Sequence, residues 1–416
     1  MNKHTNRCSS GFRPGLRFAG MVVVSLLAVP APTLAVDYTS TAGGGGGTSY
    51  SVGCGANQAL VGVKGYAGSY IDGLQGICAQ ISYDGSWLGT AVETSFAGKS
   101  TGRSFSLVCP AGHAVSGVKG RAGSYIDQLK VRCGRLGPNG RLSSYGDYLG
   151  GTAGSTGGSA FGPFDCSSSQ PAQLIRGKAG NWIDSLGLGC ATVNTVRPSS
   201  LTISPVPVQY SGFSPGTHRA TATVQMSLLP KAEVPVTLTT SNPEVALFLG
   251  GSTTASPMIR TYGDGSRSVS VVSQQPGCST ITASYQGASL SREMLVFEDD
   301  NWQLEFQTPN SATAGQAFDV SVRRLDPEAR SASWTIELKN YENIAMAVPG
   351  LSTGALAIPA GGTGSIRVPE GSDGARFQLT VAAPGCVRIR ATVGFWKVTK
   401  PVRVHPSLRP IGIVTR

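Results

Sequence analysis

The chain has 416 residues, among them 56 glycines, 25 prolines and nine cysteines, and its formal net charge is +11. Glycine and proline interrupt short runs of Val, Ile, Thr and Tyr, and no segment keeps a helical period, so the composition predicts all-β structure and argues against a helical fold. The basic residues are spread singly along strand-like segments, which argues against a nucleic-acid-binding protein.

Residues 1–35 have the pattern of a secretory signal peptide. Four basic residues precede an apolar run from about Phe18 to Val29, and Thr33 to Ala35 form a small-residue cleavage site. The apolar run is shorter than the about 20 residues that a membrane span requires, and no other stretch approaches that length. We expect cleavage after Ala35 and a secreted or periplasmic protein with no membrane span. Loss of the four basic residues lowers the formal charge from +11 to +7.

A sixteen-residue motif occurs three times, at residues 63–78, 118–133 and 175–190. Each copy contains Gly-x-Ala-Gly-x-aromatic-Ile-Asp and ends in a cysteine, with a second cysteine at the same distance upstream. The constant spacing predicts three disulfides that each close a loop of about 25 residues and contribute roughly 3 kcal/mol: Cys54–Cys78, Cys109–Cys133 and Cys166–Cys190. A unit of about 55 residues cannot bury its own core, so the three units are expected to share one.

Each motif reads as two strands with a connection between them. Leu129, Val131 and Cys133 share one parity and Lys130 and Arg132 take the other, as in a strand with one buried face. The two glycines three positions apart suit positive φ or a close backbone approach. The glycine-rich runs at residues 43–47 and 150–158 precede the first and third units, and we interpret them as loops of the repeat.

After residue 197 the glycine density falls and the cysteine spacing ends. Residues 198–298 and 301–405 each contain alternating strand-like runs, and both place Pro-Gly-Cys before the penultimate strand. Two tandem β-sandwiches are the natural interpretation, followed by a short tail at residues 406–416. Their length, strand order and segments such as Thr239-Thr-Ser-Asn-Pro-Glu-Val-Ala246 resemble bacterial immunoglobulin-like domains.

Cys278 and Cys386 stand at equivalent places in these two sandwiches. The alternation turns Cys386 outward, and equivalent positions of stacked sandwiches seldom bring their Cα atoms within the about 7 Å that a disulfide needs. We therefore expect two unpaired thiols, or a contact with another chain.

The motif itself resembles the sugar-binding loop of jacalin-related lectins, which reads Gly-x-aromatic-x-Asp. The matching segments are Gly68-Ser-Tyr-Ile-Asp72, Gly123-Ser-Tyr-Ile-Asp127 and Gly180-Asn-Trp-Ile-Asp184, and the glycine runs resemble the glycine-rich loop of the same family. The resemblance implies that residues 36–197 form a β-prism of three four-stranded sheets around a pseudo-threefold axis. The cystines, which those lectins lack, and Cys109-Pro-Ala-Gly112 are similar to vitelline membrane outer layer proteins, which have a similar fold without the lectin loop.

The resemblance also implies a set of carbohydrate-binding residues. A carboxylate accepts hydrogen bonds from two adjacent sugar hydroxyls, an aromatic ring packs on the apolar face of the sugar, and glycine amides donate from the opposite side. Carried over, the candidates are Gly68, Tyr70, Asp72, Gly123, Tyr125, Asp127, Gly180, Trp182, Asp184, Gly46, Gly47, Gly157 and Gly158.

In the family, the glycine loop of one unit completes the site of the preceding unit. Asp184 would then pair with residues 43–47 and Asp127 with residues 150–158, whereas Asp72 would face residues 97–103, which lack a double glycine. This arrangement predicts two competent sites and one altered site.

Two structural interpretations compete with sugar binding. An Asp that follows two glycines often accepts backbone N–H bonds within its own turn, and Tyr70, Tyr125 and Trp182 could pack between strands. Lys64, Lys119 and Arg176, next to the first motif glycine, are interpreted as solvated. The leading hypothesis is a secreted glycan-binding protein, and the alternative is a non-catalytic structural or adhesive protein whose prism is an inert scaffold.

No nucleophile with a His partner, metal-ligand spacing or phosphate loop is evident in the sequence, so we expect neither an enzyme nor a cofactor or metal. The expected partners are glycans or glycoconjugates, with a cell-surface molecule as a further candidate. The sequence leaves the sugar and the oligomeric state open.

Overall fold

The computed structural model describes residues 36–167, 169–206, 208–210, 218–298, 304–326, 333–342, 344–351 and 354–407. The predicted signal peptide and most of the predicted tail lie outside these ranges. Within them the chain consists of β-strands with a single 3-10 turn, Pro138–Gly140, and no α-helix. The all-β class predicted from composition is therefore confirmed. These ranges contain no helix that is long and apolar enough to cross a membrane.

The first fifteen strands form three sheets, which together we call the three-sheet module. The strands are β1 Asp37–Tyr38, β2 Ala42–Gly43, β3 Thr48–Gly53, β4 Gln58–Ala67, β5 Ile71–Ile81, β6 Trp87–Glu93, β7 Ala97–Gly98, β8 Arg103–Val108, β9 His113–Ala122, β10 Ile126–Leu136, β11 Leu142–Tyr148, β12 Ala153–Gly154, β13 Ser159–Asp165, β14 Ala172–Ala179 and β15 Ile183–Cys190. The first sheet has the order β6-β5-β4-β8 with β7 on β5. The second sheet has the order β11-β10-β9-β13 with β12 on β10, and the third has β1-β15-β14-β3 with β2 on β15.

Each motif forms the central hairpin of one sheet and turns its apolar face inward. Leu74, Leu129 and Leu186 are at most 1% exposed and belong to one core cluster to which all three sheets contribute. The third sheet combines the first strands of the module with the last ones. The repeat thus closes on itself around a core that its three sheets share, as its small unit size requires.

The strands reach further into the motif than the sequence suggested. β4 ends at Ala67 and β5 begins at Ile71, so Asp72 lies in a strand and only the hairpin tip connects the two. None of the motif glycines, all of which the structure describes, has a positive φ. The first glycine of each motif is instead required by a close approach, because an added Cβ would overlap a carbonyl oxygen of the facing strand.

The three predicted disulfides are present, and each one joins two neighbouring sheets. Their Cα–Cα distances are 5.5, 5.6 and 5.7 Å. One cysteine of each pair follows the outer strand of one sheet and the other lies on a central strand of the next, in the order Cys54 with Cys78, Cys109 with Cys133 and Cys166 with Cys190. The bonds therefore connect the sheets as third to first, first to second and second to third, which is a covalent ring.

Two further modules each consist of two sheets packed face to face. The first contains β16 Pro198–Ser204, β17 Val208–Tyr210, β18 Arg219–Met226, β19 Val234–Pro235, β20 Thr237–Thr240, β21 Ala246–Phe248, β22 Thr254–Ala255, β23 Met258–Ile259, β24 Ser266–Ser273, β25 Gly277–Tyr285 and β26 Ala288–Glu298. Its sheets are β16-β18-β24-β21 and β17-β26-β25-β20-β22, with β19 and β23 paired apart, and they share one core.

The second two-sheet module repeats this scheme. Its strands are β27 Leu304–Gln307, β28 Ser311–Thr313, β29 Ala317–Arg324, β30 Trp334–Asn340, β31 Met346–Leu351, β32 Gly354–Ile358, β33 Thr363–Val368, β34 Gly374–Val381, β35 Gly385–Val393 and β36 Trp396–His405. The sheets are β27-β29-β34-β31-β32 and β28-β36-β35-β30-β33. In both modules a short early strand pairs in parallel with the last strand, β17 with β26 and β28 with β36.

The expectation of two unpaired thiols is wrong, because Cys278 and Cys386 form a disulfide with a Cα–Cα distance of 5.9 Å. Both cysteines do point away from their own cores. The outward faces of the two sheets lie against each other, however, and Glu298 bonds across the contact to the Thr399 N–H at 2.8 Å and to Lys400. Two outward-facing positions thus become neighbours.

The three-sheet module contacts the first two-sheet module at the end of β5. The Gln80 side chain donates to the Leu229 carbonyl at 3.0 Å and accepts from the Lys231 N–H at 2.7 Å. Asp72 lies near the opposite end of the same strand, about 27 Å from Gln80 at the usual rise per residue. The motif tips therefore lie at the end of the module that faces away from this contact.

We expect no reactive thiol in the unreduced, denatured chain that begins at Val36, because all eight of its cysteines are paired. Titration with a thiol reagent in denaturant measures this directly. The Cys278→Ser variant is the control and should expose one thiol, that of Cys386. Two thiols in the parent protein would contradict the Cys278–Cys386 bond.

Candidate functional site: the motif tips and the glycine loops

Each motif tip meets a glycine loop that arrives from another part of the chain. The loops are residues 43–47, 98–102 and 154–158, and each leads from a two-residue strand into the outer strand of a sheet. Every loop begins and ends with a glycine of positive φ, a conformation that other residues rarely adopt. These φ values are 98° and 66° for Gly43 and Gly47, 82° for both Gly98 and Gly102, and 85° and 62° for Gly154 and Gly158.

The backbone of each motif Asp holds its loop in the same position. The carbonyl oxygens of Asp72, Asp127 and Asp184 each accept a hydrogen bond of 2.8 Å from the second residue of the loop. Those donors are the N–H groups of Lys99, Ser155 and Gly44. The structure therefore brings together Asp72 with residues 98–102, Asp127 with residues 154–158 and Asp184 with residues 43–47.

In the second and third copies the loop backbone lies directly on the Asp carboxylate. Asp127 and Asp184 are 6% and 5% exposed. A Cβ added at Gly46 or Gly47 would lie 2.5 Å from an oxygen of Asp184. The same distance separates a Cβ at Gly157 or Gly158 from an oxygen of Asp127. The double glycine lets the loop backbone lie against these two carboxylates without an intervening side chain.

The first copy has a different side chain at this place. Thr101 occupies the loop position of Gly46 and Gly157, and its hydroxyl donates to Asp72 Oδ2 at 3.2 Å. Asp72 is 6% exposed, so burial is equal in the three copies, but here the protein supplies the hydroxyl that bonds the carboxylate.

The hydrogen bonds of the other two carboxylates differ. The Gly123 N–H donates to Asp127 Oδ2 at 3.0 Å, as expected for an Asp that stabilises its own turn. Asp184 Oδ2 is buried and has no hydrogen-bond partner among the described residues. A buried acceptor left unsatisfied costs about 1 to 3 kcal/mol, so the third copy carries an unmet hydrogen-bonding capacity.

The three motif aromatics meet one another. The ring centroids of Tyr70 and Tyr125 are 5.0 Å apart, those of Tyr125 and Trp182 are 4.9 Å apart, and those of Tyr70 and Trp182 are 5.7 Å apart. All three side chains are half-buried. The three rings pack against one another at the motif tips, which agrees with the packing role that the sequence left open for them, and part of each ring surface is used in this contact.

Arg121 and Lys178 also contact the glycine loops, and neither residue was predicted from the sequence to belong to the site. Arg121 donates from Nε and Nη2 to the carbonyls of Gly157 and Gly158, at 2.9 and 2.7 Å, and Lys178 Nζ donates to the Gly45 carbonyl at 2.9 Å. Both occupy the variable position of Gly-x-Ala-Gly, where the first copy has Tyr66. A comparison of this position across the repeats would have shown that two copies carry a cation there and one does not.

The cations that precede the first motif glycine, interpreted as solvated, have partners on the outer strands. Lys64 forms an ion pair with Glu93. Lys119 lies over the Tyr148 ring, 4.0 Å from its centroid, and Arg176 donates to the Thr39 carbonyl at 2.9 Å. They fasten outer strands to the central hairpins. The described residues contain no group of three or more His, Cys, Asp or Glu that could hold a metal ion.

No family model matches the chain, and no curated protein matches its sequence. Among solved structures, the chain is similar to domains 4 and 5 of the S-layer protein SbsC at 15% identity and a TM-score of 0.18, over 41% of this chain and 75% of that one. For SbsC domains 1–6 the identity is 13%, the TM-score 0.20 and the coverage 90% of this chain and 55% of that one. For elastase-activated Escherichia coli alpha-2-macroglobulin the identity is 11%, the TM-score 0.17 and the coverage 90% of this chain and 44% of that one. TM-scores this low do not indicate a shared fold.

The tight fit of the glycine loop leads to a stability prediction. Gly47→Ala is expected to lower the free energy of unfolding by about 1 to 3 kcal/mol, because alanine is strained at this positive φ and its Cβ would overlap the Ala179 backbone. Gly45→Ala in the same loop is the control and should be neutral, because an added Cβ there meets nothing within 4 Å. Urea unfolding measures both, and equal stability of the two variants would contradict this description of the loop.

Proposed function

We propose that the protein is a secreted glycan-binding protein whose three-sheet module is a β-prism of the jacalin-related type. In this proposal the two-sheet modules are immunoglobulin-like domains that act as spacers or attachment modules. Sugar would bind at Asp127 and Asp184, and the Asp72 site would be altered. Four disulfides are typical of proteins that fold in an oxidising compartment, which agrees with secretion.

One observation carries the proposal. A buried carboxylate lies under a double-glycine backbone in the second and third copies, and in the first copy Thr101 takes the place of one glycine and its hydroxyl bonds the carboxylate. A sugar hydroxyl would make the same bond to Asp127 or Asp184 that Thr101 makes to Asp72. Bonds of this charge-assisted kind contribute roughly 1.5 to 3 kcal/mol each.

The remaining groups have supporting roles. Arg121 and Lys178 hold two of the glycine loops by their carbonyls, which fixes the backbone that a sugar would approach. A single site of this type is expected to bind on the millimolar scale, or about −4 kcal/mol. Two sites in one chain would then act together on a glycan surface through multivalency.

The alternative is a structural or adhesive protein with an inert three-sheet module. The bond from the Gly123 N–H to Asp127 Oδ2 and the mutual packing of the three aromatics favour it, because both give these residues a role without a ligand.

The two candidate functions predict different effects on glycan binding when the motif Asp residues are replaced by Asn, which has nearly the same shape but no charge. Asp127→Asn with Asp184→Asn is expected to abolish binding on a glycan array, because it removes the charge that strengthens the hydroxyl bonds, and to shift thermal unfolding little. Asp72→Asn is the matched control and should keep the parent's array profile, since Thr101 already occupies that carboxylate. A well-folded parent that binds no glycan on the array would contradict the proposal and favour the alternative.

A further inference from the structure

Four cations lie on the outward face of the second sheet, beside the Asp127 site. Lys119 and Arg121 lie two positions apart on β9, and Lys130 and Arg132 lie two positions apart on β10. Residues two apart on a strand point to the same side of the sheet, and Lys119 and Lys130 are direct partners in the antiparallel register. These four residues are called the cationic face below. The register of β9 and β10 brings together cations that lie apart in the sequence.

Among the described residues, acidic groups neutralise this charge only in part. Arg132 forms an ion pair with Asp165 at 2.7 Å. Lys119 lies over the Tyr148 ring, an attractive arrangement that adds no negative charge. Like charges placed directly opposite each other across a strand pair destabilise a sheet. The Lys119–Lys130 pair therefore costs stability, and a ligand that supplies negative charge would remove the cost.

The other two copies provide an internal comparison on the same backbone. In the first sheet Lys64 faces Gln75, and in the third sheet Arg176 faces Gly187. Lys64 is also neutralised by its ion pair with Glu93. The hairpin therefore forms without two opposed cations, and the cationic face belongs to the second copy alone among the three.

The cationic face begins at the candidate sugar site. Arg121 bonds the carbonyls of Gly157 and Gly158, the two glycines that lie on the Asp127 carboxylate. Lys119 follows about 7 Å further along β9 at the usual strand rise. A ligand chain that leaves the Asp127 site along this strand would meet the two lysines next.

We propose that the cationic face binds the anionic groups of an acidic glycan, one that carries carboxylate, sulfate or phosphate, while an uncharged sugar of the same chain is held at Asp127. The inference rests on the proposed glycan binding and adds the class of glycan. Lysine suits this role because its flexible side chain and rotatable donors follow anionic groups at variable positions. The Asp184 site keeps two cations on β14, Arg176 and Lys178, but has none on β15, so it lacks the pair of opposed cations and is expected to take the uncharged part of a glycan.

The test compares acidic probes with their uncharged counterparts. Dextran sulfate and oligogalacturonate are titrated against the parent beside dextran and methyl-esterified oligogalacturonate of equal length. The Lys119→Gln/Lys130→Gln variant is expected to lose about tenfold in affinity for the acidic probe, and the slope of log affinity against log salt should fall by about two. The control variant Lys64→Gln/Lys339→Gln removes the same number of charges elsewhere and should keep the parent's affinity.

Three results would overturn the inference. The first is an equal loss in the Lys119/Lys130 and Lys64/Lys339 variants, which would assign acidic-probe binding to net charge. The second is duplex DNA bound as tightly as the acidic glycans through Lys119 and Lys130. The third is acidic-probe binding that the lysine substitutions leave unchanged. Glycan-array binding by the Asp127→Asn/Asp184→Asn variant is measured separately, so a loss of array binding in that variant would leave the proposed function standing even where this inference fails.

Discussion

The three-sheet module depends on a core to which all three sheets contribute. Each repeat is too small to exclude water by itself, so the three inward faces must meet, and the first strands of the module must pair with the last to complete the third sheet. The disulfides follow the same cyclic order and join each sheet to the next. Core, strand closure and cystines therefore impose the same threefold arrangement.

The candidate sites are a product of this closure. Each glycine loop crosses the tip of a motif hairpin and contacts the motif Asp there. Each loop has a glycine of positive φ at both ends. The backbone is thereby equal in all three places, whereas the side chains are free to differ. Thr101 in one loop, and Arg121 and Lys178 under the other two, show that the copies have diverged chemically on one scaffold.

Much of this arrangement could be predicted from the sequence, because it depends on repetition. Equal spacing indicated the three cystines, and alternation along the motif indicated strands that bury Leu74, Leu129 and Leu186. The Cys278–Cys386 bond could not be predicted in this way, since it depends on how two folded modules dock, and outward-facing residues carry no periodic signal for that.

The cationic face could not be predicted from the sequence for a related reason. Lys119 and Lys130 become neighbours only through the register of β9 and β10, which a count of charges along the chain does not contain. The pairing of Asp with the glycine loops was inferred by resemblance, and the structure brings those residues together.

The bond between Cys278 and Cys386 also has a mechanical consequence. A chain anchored near its C-terminal end and pulled at its other end would carry the tension through this cystine, so strands β26 to β34, which lie between the two cysteines, would bear no load. The 108-residue separation of the two cysteines removes about 360 Å from the fully extended contour length of the chain. Under such a pull, the second two-sheet module would carry tension only in β35 and β36, which follow Cys386 towards the anchored end.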